Sequence, residues 1–134
     1  MKIRSGVLLV IALAGSVAAV GAAKQWEHDS RGVLAAIARA PLSARTQQNP
    51  YQNNPDAILA GAKLFRQHCA ECHGHDGRGS SKAADLRAPD VQRATPGEIE
   101  WLLRNGNLAR GMPSWSGLSA QRRWQIVAYI RTLD

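Results

Sequence analysis

The chain holds only two cysteines, Cys69 and Cys72, two residues apart and followed at once by His73. Two cysteines that close cannot staple a fold from end to end, so a disulfide framework is excluded and their use is local. Three local uses share this spacing: a redox dithiol, half of a metal site, or a covalent link to a cofactor. A thioredoxin-like dithiol belongs in a βαβ setting. No stretch here alternates apolar and polar residues long enough to be a strand. A zinc site would need a second ligand pair. No other cysteine exists, and His28, His68 and His75 do not form an H-x3–5-H pair.

The third use remains. C-x-x-C-H is the attachment pattern of c-type haem. The two thiols add to the two vinyl groups on one edge of the porphyrin, and the adjacent histidine is carried beneath the ring to bind iron. Composition supports a cofactor-filled interior. Across residues 54–134, Leu, Ile, Val and Phe make up only 15 of 81 positions, below the range usual for a folded domain. A small domain already buries a poor fraction of its surface. The missing apolar volume fits a large flat cofactor, one haem c. Beyond the initiator the chain has one methionine, Met112, set between Gly111 and Pro113. Those neighbours force a loop, which suits a thioether offered to iron from the side opposite His73. Met/His ligation raises the reduction potential and leaves no position open for a substrate.

The chain opens with Lys2 and Arg4, and residues 6–23 then carry no charge. That is the basic-then-apolar layout of an export signal. The most apolar run, 7–13, is short, and small residues near 20–23 suit a signal peptidase. Eighteen uncharged residues also reach the lower end of a spanning helix, with Trp26 placed as an interfacial belt residue. Residues 1–23 are read as a signal peptide or an N-terminal membrane anchor. Either delivers the remainder to the periplasmic side, soluble or tethered through residues 6–23. Residues 24–53 read as a linker arm, with a short helix over 32–40 before Pro41 and an Asn/Gln-rich connector after it. The arm either lifts the folded part from the membrane or packs on its surface. The net charge is +7, and the two positives of the N-terminal segment account for part of it. The remaining excess is modest and unclustered, so no nucleic-acid partner is expected.

The folded domain is placed at 54–134, with three predicted helices. Asn54 caps the first, Pro55 starts it, and Ile58, Ala62 and Phe65 follow at helical spacing. Thr95, Pro96 and Glu98 form a capping box for the second, whose apolar side is Ile99, Leu102 and Leu103 and which Asn105-Gly106 stops. Ser119 caps the third, with Ile126, Val127, Ile130 and Leu133 as its stripe.

With G-A-K-L-F at 61–65, C-A-E-C-H-G at 69–74, G-M-P-S-W at 111–115 and W-Q-I-V-A-Y-I-R-T-L at 124–133, the chain resembles a class I c-type cytochrome over essentially all of 54–134. The resemblance implies an all-α domain of three main helices plus loops wrapped around one covalent haem, preceded by the apolar segment and the linker arm. It implies that the first and last helices meet closely at Gly61, with Phe65 and Tyr129 beside the contact. It also implies a backbone carbonyl that accepts the other N–H of His73, for which Pro89 is the candidate. Trp115 is a candidate to line the haem, as is Trp101 unless it serves the core, and Arg87 and Arg110 are candidate propionate partners. His68 and His75 are read as solvated rather than as ligands.

The function implied is electron transfer by a monohaem carrier, not an enzyme. Cys69 and Cys72 would carry the haem, and His73 and Met112 would hold its iron as axial ligands. Its redox partners would present acidic docking surfaces to the positive excess. The alternative is a haem c subunit of a larger exported oxidoreductase, a dehydrogenase or an oxidase, with 24–53 as a docking segment. An enzyme acting at iron would need a vacant or labile sixth position.

Overall fold

Each of the three capped helices begins where its local chemistry dictates. The computed structural model describes residues 32–81 and 83–133, so the signal or anchor at 1–23, with Trp26 and His28, lies outside the described residues. A short helix α1 covers 32–37 and α2 is Leu42–Arg45. Helix α3, Pro55–His68, starts under Asn54, whose side chain accepts from the Ala57 N–H at 3.0 Å. A single turn, α4, is Ala70–His73, and α5 is Pro89–Arg93. Helix α6, Pro96–Asn105, carries both bonds of the capping box: Glu98 N–H donates to Thr95 Oγ1 at 3.2 Å and Thr95 N–H donates to Glu98 Oε2 at 2.7 Å. Helix α7, Ala120–Ile130, starts under Ser119, which accepts from the Arg122 N–H. Among the described residues the only extended pairing is an isolated bridge between Asn107 and Met112. No helix among them is long and apolar enough to cross a membrane.

Helices α3 and α7 form the frame. A Cβ at Gly61 would lie 2.0 Å from the Gln125 carbonyl oxygen, so only glycine admits this approach. Beside the contact, Phe65 packs on Tyr129 with ring centroids 5.2 Å apart. The buried side of α3 is Ala57, Gly61 and Phe65, one residue round from the expected Ile58 and Ala62, because α7 lies over Gly61 and sets the face. Phe65, Ile126 and Val127 are fully buried. Leu133 falls beyond the end of α7 and lies against Gly77. A buried ion pair joins α6 to α7, with Arg123 Nε 2.7 Å from Glu100 Oε1; Arg123 also donates to the Leu118 carbonyl.

The segment 32–53 packs on this frame. Ala36, Ile37, Ala40 and Ala44 are buried, and Ile37 belongs to the same apolar cluster as Phe65, Leu103 and Ile126. Of the two behaviours left open for the arm, its described part takes the second.

Candidate functional site

The Cys69–His73 run forms a turn of helix directly after α3. The His73 N–H donates to the Cys69 carbonyl at 2.9 Å, and that turn aims Cys69, Cys72 and His73 into one cavity. The cavity measures about 460 Å³, within the range of cofactor-sized sites. Its wall is mostly apolar and includes Phe65, Leu86, Val91, Ile99, Leu102, Leu103 and Ile130. Met112, Trp115, His68 and Arg110 line it as well. Thus Cys69, Cys72, His73, Met112 and Trp115 share one cavity. His75 is exposed.

His68 departs from the solvated role expected of it. It is half-buried on the cavity wall and packs on Trp115 with ring centroids 5.1 Å apart. Pro89 and Arg87 are not part of the wall. Arg87 Nε sits 3.9 Å from Asp85 and is buried without a hydrogen-bond partner among the described residues.

The second imidazole nitrogen corrects one expectation. His73 Nδ1 lies 2.9 Å from the Ala84 carbonyl oxygen, so Ala84, not Pro89, supplies that partner. Pro89 is taken up as the first residue of α5, while the loop ahead of it folds back onto the motif. Gly79 N–H donates to the His73 carbonyl at 2.8 Å, Leu86 N–H to Gly77 at 2.8 Å, and Ser80 Oγ to the Cys72 carbonyl at 2.7 Å. Gln92 braces the same loop, its side-chain amide donating to the carbonyls of Leu86 at 2.8 Å and Ile130 at 3.1 Å.

A carbonyl only accepts, so Nδ1 carries the proton and Nε2 keeps a free lone pair. Burial lowers the His73 pKa, outweighing the opposing Ala84 bond, and keeps the ring neutral, the form that binds a metal. The cysteines are unpaired. Burial pushes the Cys69 thiol up to about 11, with Cys72 adding to the shift. That is the reverse of the lowered pKa a nucleophilic dithiol needs. No group of three or more acidic, histidine or cysteine side chains is placed to hold a bare metal ion among the described residues. A Cys69 thiol whose pKa burial raises, a second cysteine beside it, a neutral imidazole with a free Nε2 and a thioether around an apolar cavity fit a covalently carried haem.

Sequence reasoning missed the four contributors that the arm makes to the wall: Gly32, Val33, Ala36 and Ile37. Their only signal was the apolar content of 33–37.

Residues 56–130 match the family described as Cytochrome C oxidase, cbb3-type, subunit III. The chain is 31% identical over 124 residues to the cytochrome bc1 complex cytochrome c subunit of Corynebacterium efficiens, covering 91% of this chain and 40% of that protein. It is 30% identical over 91 residues to the cbb3-type cytochrome c oxidase subunit CcoP of Rubrivivax gelatinosus, covering 65% of this chain and 30% of that one. Among solved structures, cytochrome cL of Methylophaga aminisulfidivorans superposes with a TM-score of 0.57 at 25% identity, over 65% of this chain and 59% of that chain. The chain therefore spans less than half the length of either of those two relatives.

Proposed function

The chain belongs to the cytochrome c family of cbb3-type oxidase subunit III, and from that premise we propose that it is a monohaem electron carrier on the periplasmic side of the cytoplasmic membrane. One observation carries the reading: Cys69, Cys72, His73 and Met112 line a single apolar cavity, and His73 is held neutral with Nε2 free. When bound, haem c supplies an iron that alternates between ferric and ferrous states. Cys69 and Cys72 would hold it covalently through thioethers. His73 and Met112 would hold its iron, and Trp115 lines the pocket. The Ala84 carbonyl orients the imidazole and raises its basicity. The soft sulfur of Met112 favours the ferrous state, and the apolar wall excludes water, which raises the potential further. Were His73 and Met112 both to hold the iron, the residues would support outer-sphere electron transfer rather than chemistry on a bound substrate.

In this reading residues 1–23 export or anchor the chain, 24–53 form the arm, and 54–134 carry the haem. The positive excess steers encounter with acidic surfaces of redox partners, so association slows as salt rises. A second reading is a haem c subunit of a larger respiratory complex. It is favoured by the two relatives named as subunits, one of which aligns with 91% of this chain.

The test is a mediated redox titration of the purified holoprotein, followed by its visible bands. The expected result is one reversible one-electron wave, with slow and weak cyanide uptake by the ferric form. Rapid stoichiometric cyanide binding would overturn the carrier reading and favour an enzyme acting at iron. Isolation of the haem protein only within a stable complex would favour the subunit reading.

A further inference from the structure

The segment 32–53 precedes the family match at 56–130, yet Gly32, Val33, Ala36 and Ile37 form part of the cavity wall. It is pinned to the domain at both ends of its described length. Near its C-terminal end, the buried Asn49 donates to the Trp124 carbonyl of α7 at 2.9 Å. In the middle, α2 sits on the first turn of α6, where a Cβ at Gly97 would lie 1.8 Å from the Ala44 carbonyl oxygen. Arg45 ties the two halves of the segment together, donating to the carbonyls of Ala38 and Ala40 at 2.7 and 2.8 Å, and lies 3.6 Å from Glu98. At the front, Arg39 donates to Asn107 Oδ1 at 3.3 Å.

Asn107 is the residue that clasps Met112. Asn107 N–H donates to the Met112 carbonyl at 2.9 Å, and Met112 N–H donates to the Asn107 carbonyl at 3.1 Å. The same Asn107 carbonyl accepts from Arg110 N–H at 2.8 Å. Three of the backbone bonds that close the turn presenting the thioether thus run through Asn107, beside the Gly111 N–H bond to the Leu108 carbonyl at 3.0 Å. The only side chain of the segment hydrogen-bonded to that residue is Arg39. Ile37 and Val33 pack in the same apolar cluster as Met112 and Leu103.

We propose that residues 32–40 are a clamp for the methionine loop, with Arg39 and Ile37 as positioning residues that keep Met112 on the iron. This rests on the reading of Met112 as axial ligand. Arg39 holds the turn at its clasp from outside, and Ile37 belongs to the apolar cluster on which Met112 packs. Loosening either lets the thioether leave more often, and an added ligand then competes more effectively for the vacated position.

The test uses ferric holoprotein of full length, observed through the near-infrared methionine-to-iron band while imidazole is titrated in. The variants are Arg39→Ala, at an exposed position that the fold tolerates, and Ile37→Val. The control is Leu42→Ala, which truncates an exposed side chain on the same segment. The expected result is a band in the parent protein and tighter imidazole binding in the variants. The gain is about threefold or more for Arg39→Ala, the scale of one surface hydrogen bond, and a similar factor for Ile37→Val. The control stays at the parent value. Unchanged imidazole affinity in both variants, with the band present, overturns the clamp and leaves Met112 as ligand. Absence of the band from the parent protein overturns Met112 as ligand, and the clamp with it.

Discussion

Replacing Gly61 by alanine sets two physical effects against each other with opposite signs. Inside a helix, Gly→Ala stabilises by about 1 kcal/mol through backbone entropy. Here the new Cβ would lie 2.0 Å from the Gln125 carbonyl oxygen, 2.6 Å from its carbonyl carbon and 3.1 Å from Tyr129 Cβ. Carbon and oxygen rest at about 3.3 Å or more, so α3 and α7 must separate by more than an ångström. The obstructing atoms are backbone of α7, and no rotamer change relieves them. Overpacking of this kind costs about 1–3 kcal/mol, and a backbone obstruction belongs at or above the top of that range. The net loss is about 2 kcal/mol. For a domain of this size that lowers the melting temperature by roughly 10 °C. The assay is thermal unfolding of the ferric holoprotein followed by circular dichroism. Gly117→Ala serves as control, because a Cβ there meets nothing within 4 Å. A Gly61→Ala protein that melts at or above the parent temperature would refute the close approach of α3 and α7.

Two further outcomes are expected. Met112→Ala keeps its covalent haem but loses the near-infrared methionine band, and its potential falls by on the order of 100 mV or more, within the wide range axial ligands control; spectroelectrochemistry reads both, and a retained band contradicts the assignment. Arg123→Ala strands Glu100 in the interior without its partner and costs about 3–5 kcal/mol, whereas Arg123→Met combined with Glu100→Leu recovers most of that loss. Guanidinium unfolding midpoints check this pair, and a double variant no better than the single one would show that the pair does not act as a unit.

The helix starts were legible because a cap is a local bargain between neighbours. Asn54 with Ala57, Thr95 with Glu98, and Ser119 with Arg122 lie within one turn of each other. The face that α3 buries was legible only in part: Phe65 was expected and Gly61 was implied as the contact with the last helix, but Ala57 and Gly61 stand in place of Ile58 and Ala62 on the buried side, which only the placement of α7 decides. At the site, Cys69, Cys72 and His73 announce themselves by side-chain chemistry at fixed spacing, and Met112 by its loop. The acceptor for His73 does not. Any residue has a carbonyl, and the choice of Ala84 over Pro89 follows from how the 77–86 loop folds back on the motif. Ile37 was invisible for a related reason. It is one aliphatic residue in an Ala-rich stretch, and its burial comes from partners such as Leu103 and Ile126 far along the chain.

The central claim is that Cys69 and Cys72 carry one haem covalently in the cavity they share with His73 and Met112. Intact-mass spectrometry under denaturing conditions tests it most directly, on chain produced with a c-type haem maturation system. The account predicts polypeptide mass plus one haem, with the added mass lost in the Cys69→Ser/Cys72→Ser protein. Parent chain that shows the bare polypeptide mass, from cells that attach haem to a control cytochrome, would contradict it.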